Sequence, residues 1–395
     1  MSYSPLSILF YSMHMEKRDL KSLLFSFLIE KSFITIKMHG VLSGEKVIVA
    51  GSEADTFESM GYGRKKGKSV KGEREYKLEL SLEEAAFLLE AGRIVIRKEK
   101  GSELTLEDFL KHALGIYPNF GARYIVYKDL KERGYVVQPG GVDFWLYPRV
   151  TKPGAKTARY FIRILSEREF LSVKDVEAVL VLAHNMRKEP VIAVVDDESD
   201  ITYYDVKEAK FDDVIEKRDE REDRKSEVSG KGKAFLLGDK VILWDTDLAA
   251  NLYKNDFYGK LTNENRLLLS LVEAAYLIKK GLLELNFEQF VEHAATIESE
   301  FMGKYAVYED LREKGLILKT GFKFGSHFRV YKATNQKHSP DLIHVLPEEH
   351  VFSMPELARA VRLAHGVKKR MIFSFKEKVG EEIHIRYVDI GRMKL

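Results

Sequence analysis

The chain repeats itself. The stretch YIVYKDLKERGYVV, opening at Tyr124, returns as YAVYEDLREKGLIL at Tyr305, 181 residues later. VLAHNMRK (Val181–Lys188) returns as RLAHGVKK (Arg362–Lys369) at the same spacing, and ELSLEEAAFLLEAG from Glu79 is echoed by LLSLVEAAYLIKKG from Leu268. A tandem duplication restricts the fold, because one architecture must serve two diverged sequences. Residues common to both copies read as architecture. Residues held by one copy alone are candidates for function.

A length of 395 residues corresponds to roughly two to four domains. With 45% hydrophobic residues the chain can build cores, and a formal net charge of +3 requires any nucleic-acid surface to be local. There is no cysteine, which excludes disulfides, thiolate zinc sites and cysteine nucleophiles and fits a reducing cytoplasm or a hot habitat; a cytoplasmic setting is expected. LSILFYSMHM near the N-terminus is short, lacks a basic lead and is followed by charges, so it reads as neither signal peptide nor membrane span. No membrane partner is expected. Residues 1–36 have no counterpart ahead of the second copy and form an extension, with a helix expected around Leu20–Ile29.

Each copy divides in the same way. A strand-rich start (GVLSGEKVIVAG; AFLLGDKVILWD) leads through a short Gly/Tyr-containing loop to a helix. Ser81 and Ser270 are its expected N-caps, with Glu84 and Glu273 three residues on as capping boxes, and Gly92 and Gly281 as C-terminal stops. A second helix completes a small α/β domain; helix, aromatic hairpin, helix and a closing strand pair follow. The expected fold is α/β (α+β), a tandem repeat of two units, each with an N-terminal mixed α/β domain and a C-terminal α/β domain. The boundaries fall at 37–120 and 121–206 for the first copy, and at 234–302 and 303–395 for the second. The charge-dense run 207–233 between them reads as a solvated linker.

The second copy's YAVYEDLREKG, GFKFGSHFRVY and VRLAHGVKK, in that order, resemble the archaeal tRNA-splicing endonucleases, and the similarity covers roughly 38–206 and 234–395. The resemblance implies a nuclease-like C-terminal domain and a Tyr–His–Lys triad working without metal or cofactor. By position the triad falls on Tyr331, His338 and Lys369. It further implies a homodimer in which four units surround one precursor tRNA carrying a bulge–helix–bulge, whose unpaired nucleotides splay out for recognition.

Those residue types suit the implied chemistry. RNA supplies its own nucleophile, the 2′-hydroxyl, so cleavage needs one group to take that proton and another to protonate the 5′-oxygen. A cation must sit against the charge developing on phosphorus. Tyr331 as base, His338 as acid and Lys369 as clamp would leave a 2′,3′-cyclic phosphate and a 5′-hydroxyl. A phenol ordinarily ionises near ~10, so Lys369 and Arg362 are expected to help Tyr331. By the resemblance, Arg362 and Arg392 form the arginine pair around a flipped-out base, with Arg386 an alternative to Arg392; by sequence alone Arg362 lines a helix face and Arg392 is a terminal charge.

The copies diverge where this chemistry would sit. The first keeps Tyr147 and Lys188, but aligning FIRIL with LIHVL sets Thr157 opposite His338, so that copy is expected to be inactive. His184 and His365 occur in both and read as structural. Residues 359–395 carry ten Lys/Arg against four Asp/Glu, whereas 178–206 carry two against six. The acids Asp196, Asp197, Glu198 and Asp200 cluster at an expected hairpin tip. By the resemblance they plug a basic pocket of a partner copy; by composition alone they are a solvated turn. Arg149, Lys152, Lys156 and Arg159 bend around Pro153 and Gly154, as candidate phosphate contacts or a plain solvated loop. GYGRKKGKS at Gly61 misses a phosphate-binding loop by one position. His338 and His344 have no convergent carboxylates, so no metal is expected. A non-catalytic RNA-binding scaffold of the same fold is the alternative, while a metal-dependent DNA nuclease would want clustered acids that the second copy lacks.

Overall fold

A computed structural model describes residues 38–51, 53–67, 69–70, 73–74, 77–99, 101–140, 142–149, 157–211, 231–333, 335–379 and 382–395. The extension expected over 1–36, Lys152 and Lys156, and most of the charged run between the copies lie outside the described residues. Among the described residues no helix is long and apolar enough to cross a membrane. The chain forms two compact units, Met1–Tyr124 and Ile125–Leu395.

In the first unit, strands Arg64–Lys66, Lys77–Ser81, Lys46–Ala50, Met38–Ser43 and Ile94–Lys98 form one sheet in that order. Its apolar face (Met38, Val47, Val49, Leu78 and Leu80) packs on helices Leu82–Glu90 and Leu106–Ile116. Ser81 Oγ accepts from the Glu84 N–H at 3.2 Å, and the Glu84 carboxylate accepts from the Ser81 N–H at 2.9 Å, so the expected capping box is present. Ser270 and Glu273 repeat it in the second copy. Gly92 and Gly281, at φ +66° and +74°, stop the two helices as left-handed residues must. The GYGRKKGKS run leads into a strand, and its Gly63 N–H is taken by Glu84, so it cradles no phosphate at a helix start.

Each copy holds one helix more than the sequence reading, Glu53–Ser59 and Thr246–Asp256, where only a Gly/Tyr loop was expected. The second is capped by Asp245, which accepts from the Asp247 and Leu248 N–H groups. Leu248, Ala249 and Leu252 bury one face of it.

The second unit is organised by one ten-stranded sheet. The first copy supplies β1 (Val136–Pro139), β2 (Phe144–Tyr147), β3 (Tyr160–Ser166), β4 (Glu189–Val195) and β5 (Ile201–Glu208). The second supplies β6 (Ile317–Thr320), β7 (Phe328–Tyr331), β8 (Asp341–Val345), β9 (Arg370–Val379) and β10 (Glu382–Met393). The order is β6-β7-β8-β9-β10-β5-β4-β3-β2-β1, so the halves share one internal order and meet through their last strands. Pairs β3–β4 and β8–β9 are parallel and need crossovers, which the helices Val173–Met186 and Met354–Gly366 provide.

Strands β5 and β10 run antiparallel from Tyr203 opposite Met393 to Glu208 opposite Val388. A second cross-copy ladder joins Phe170–Ser172 to Val351–Ser353. Leu171, Val176, Ile192 and Tyr204 of one copy and Phe352, Leu357, Phe373 and Ile390 of the other share a single apolar core. Paired structure also enters the segment read as linker from 207 onward. Strand β5 continues to Glu208, Ala209 N–H donates to Tyr387 O at 2.8 Å, and the Phe211 ring meets that of Tyr387 at 5.1 Å. Ala209 and Phe211 are apolar and bury accordingly.

Phe352, 2% exposed against Phe373 at 4.9 Å, lies at the centre of the shared core. Phe352→Ala should cost about 3–5 kcal/mol and lower the urea midpoint of both copies together in one transition. Separate transitions, with first-copy probes unmoved, would show that the cores are independent.

Candidate active site

Three neighbouring strands of the second copy set Tyr331 and Lys369 in one row, with His338 on the loop that leads into the middle strand. Val330 pairs with Asp341, and Asp341 with Arg370. One step further, Tyr331, Pro340 and Lys369 succeed one another across the sheet. With strands ~4.8 Å apart, the backbones of Tyr331 and Lys369 are separated by about 10 Å, within reach of two long side chains meeting over the middle. Along β7, Phe328 and Val330 are buried, so Arg329 and Tyr331 share the opposite face. The Arg329 guanidinium carbon is 5.9 Å from the centres of both the Tyr331 and Phe324 rings, and Lys369 Nζ is 5.6 Å from the Phe324 ring. Phe324 is held there by the single turn Phe322–Phe324, closed by Gly325 at φ +64°.

Lys369 follows the end of helix Met354–Gly366. Lys368 takes φ +55°, and the Lys369 N–H donates to Ala364 O at 2.9 Å; Arg187 (φ +51°) and Lys188 do the same in the first copy. The Lys369 ammonium donates to Ser339 O and to Ser339 Oγ, the latter at 3.1 Å. Ser339 is buried, so the lysine pins the end of the loop that presents His338. The imidazole of His338 is exposed, and neither it nor the Tyr331 hydroxyl hydrogen-bonds another described residue. Burial, and then Arg329, hold the Lys369 ammonium below the ordinary lysine range, with Asp341 opposing them. Asp341 is 1% exposed and accepts from Arg370 Nε at 2.7 Å. With Asp341 committed to Arg370, the guanidinium near the Tyr331 ring is that of Arg329.

In the first copy the same row is occupied differently. The Tyr147 hydroxyl is engaged, donating to Gln138 Oε1 at 3.1 Å. Tyr160 and Glu189 replace Asp341 and Arg370, and Arg159 pairs with Glu189 at 3.0 Å. Arg149 stacks on Tyr135 at 4.6 Å, and Thr157 is exposed. His184 and His365, read as structural, have exposed side chains. What both copies share there is main chain, the carbonyls of His184 and His365 accepting from Arg187 and Lys368 at the helix ends. His344 stacks on His327 at 4.4 Å, and His327 Nδ1 accepts from the Val345 N–H. Burial, then His344, push His327 down to about 3, so this pair is neutral structure.

Arg362 and Arg392 line one cavity of ≈ 460 Å³, together with Arg359, Tyr204, Asp196 and Asp200. Arg362 was expected to act on Tyr331. The structure sets it beside Tyr204, and the guanidinium over Tyr331 is that of Arg329, which sequence reasoning missed although the alternation in FRVY places it on the tyrosine's face. Arg386 is committed to Glu377 and Glu208. The acidic tip is a tight turn: Asp196 N–H donates to Asp200 O, while Asp196 Oδ1 accepts from the N–H groups of Glu198 and Asp200 at 3.0 and 2.8 Å. Asp197 pairs with Arg168 at 2.6 Å. A second cavity of ≈ 710 Å³ is lined by Lys240, Lys260, Lys304 and Lys319 along with Asp239, Glu273 and Glu298.

Known proteins carry the same two-part pattern. The family described as "tRNA intron endonuclease, N-terminal domain" matches residues 38–110 and 232–292. The one described as "tRNA intron endonuclease, catalytic C-terminal domain" matches 120–203 and 301–387. A tRNA-splicing endonuclease of Methanococcoides burtonii is 41% identical over 91% of this chain and 100% of its own length. One of Methanosarcina mazei is 42% identical over 90% and 98%, and one of Haloarcula marismortui 36% over 88% and 97%. With both domain types matched twice and relatives aligned along nearly their whole length, the chain belongs to the tRNA intron endonuclease family.

Proposed function

We propose that the second copy cleaves precursor tRNA at intron boundaries presented as a bulge–helix–bulge. The observation that carries this reading is that Tyr331 and Lys369 flank β8 in one row, that Lys369 holds Ser339 beside the exposed His338, and that the nearby Asp341 carboxylate is taken by Arg370. Tyr331 takes the proton of the 2′-hydroxyl, whose oxygen attacks the adjacent phosphorus. The bond from phosphorus to the 5′-oxygen breaks, and His338 delivers a proton to that leaving oxygen. Lys369, assisted by Arg329, stabilises the charge on the non-bridging oxygens. The products are a 2′,3′-cyclic phosphate and a 5′-hydroxyl. Arg362 and Arg392 hold a flipped-out bulge base between their planes. Two chains form a homodimer in which the Asp196–Asp200 turn of one docks in the lysine-lined cavity of the other, opposite charge setting the register.

Replacing the general acid should lower cleavage ~10²–10⁴-fold. His338→Ala is therefore expected to abolish most activity while leaving RNA binding near the parental level, and Thr157→Ala to change neither. Equal losses would mean that the copies are not divided into active and inactive, and no loss from His338→Ala would favour the non-catalytic scaffold.

Because the nucleophile is the RNA's own hydroxyl, cleavage should persist in excess EDTA and leave a cyclic phosphate on the upstream fragment. A strict requirement for added Mg²⁺ or Mn²⁺ would contradict the proton-transfer route.

Asp196 closes its own turn, so the assembly is better tested at the exposed Asp197 and Glu198. Asp197→Lys with Glu198→Lys should shift the dimer to monomers by light scattering and lower activity in parallel. An unchanged, active dimer would reduce the acids to a solvated turn.

A further inference from the structure

The cavity around Arg362 and Arg392 is built from both copies. Its arginines come from the second, while Val194, Thr202 and Tyr204 come from β4 and β5 of the inactive one. Tyr204 stands directly opposite Arg392 in the β5–β10 ladder and is 5% exposed. Tyr204 belongs to the shared apolar core and also lines the cavity, and its hydroxyl, which is not fully enclosed, bonds no other described residue. A buried hydroxyl is ordinarily satisfied within the protein, so one left open to a cavity is available to a ligand. Burial raises the Tyr204 phenol above its ordinary range, against the pull of Arg392 and then Arg362, which line the same cavity. Neither arginine makes an ion pair among the described residues, although Asp196 and Asp200 line the same cavity. Asp196 spends its carboxylate on its own turn. At ≈ 460 Å³ the space suits a small ring system, which fits pockets of ~300–1,000 Å³ that hold compact ligands.

We propose that the inactive copy completes the nucleotide site: the Tyr204 hydroxyl hydrogen-bonds the edge of the bulged base whose faces Arg362 and Arg392 cover. This rests on the reading of those arginines as base holders. Stacking between guanidinium planes accepts any base, whereas a fixed hydroxyl at the floor selects among edges. The degenerate copy then has a role in recognition that the loss of its histidine left untouched.

The test compares the full-length parent with Tyr204→Phe on two RNAs, one with an intact nucleotide at the bulge and one abasic there. Loss of one neutral hydrogen bond should raise KM on the intact bulge about three- to tenfold, with kcat at saturation unchanged. On the abasic RNA the two proteins should be equal. From the RNA side, an unsubstituted purine ring at the bulge should weaken the parent by a similar factor and leave Tyr204→Phe unmoved, a cycle that is independent of any folding defect in the variant. Equal KM values on the intact bulge would overturn the proposal, as would an equal loss on both RNAs, which would mark Tyr204 as packing or a phosphate contact. If Arg362→Lys impairs cleavage of the intact bulge while Tyr204→Phe does not, the arginine reading stands and this one falls. A parent indifferent to removal of the base would overturn both.

Discussion

The antiparallel ladder between β5 and β10 is the constraint on which the second unit depends. It turns two five-stranded sheets into one and sets Tyr204 opposite Arg392 and Val206 opposite Ile390. It also buries the closing strands of both copies over a common core. Side chains alternate along a strand, so a slip of one residue would turn Tyr204 and Val206 away from that core and take the arginine cavity apart. A last strand left without its partner would expose a row of unpaired N–H and C=O groups. Pairing with the sister copy removes that edge from the middle of the sheet and leaves only β1 and β6 at its margins.

The repeated local architecture was legible because it is written in short-range chemistry. Ser81 with Glu84 and Ser270 with Glu273 satisfy helix N–H groups within one turn, and Gly92 and Gly281 take a conformation other residues resist. The positions proposed for the triad came from family resemblance, and Thr157 opposite His338 from the copies' own alignment. The missed helices Glu53–Ser59 and Thr246–Asp256 sit in segments rich in Gly, Tyr and Asn, whose turn chemistry masked a short apolar periodicity such as Leu248, Ala249 and Leu252.

What sequence could not supply was the long-range register. Nothing local says that Ile201–Glu208 pairs with Glu382–Met393, so Tyr204 gave no sign of standing beside Arg362. Charge counts treated the arginines of 359–395 as one basic patch, whereas the fold sorts them. Arg370 is spent on Asp341 and Arg386 on Glu377 and Glu208. Arg362 and Arg392 are left lining a cavity. The same sorting separates Arg329, over Tyr331, from the arginine assigned that task by sequence proximity.

The shared core also bears on how a duplicated half ages. A spare copy freed from catalysis is expected to drift until it becomes a remnant. Here the drift is partitioned. Thr157, aligned with His338, is exposed, so change there disturbs little of the described core. From Tyr203 to Glu208 on β5, and along the ladder Phe170–Ser172, each residue pairs with one of the second copy. A lesion there would harm the working half directly. If catalysis is divided as proposed, the first half is a captive of its twin, free to forget a reaction but not its shape.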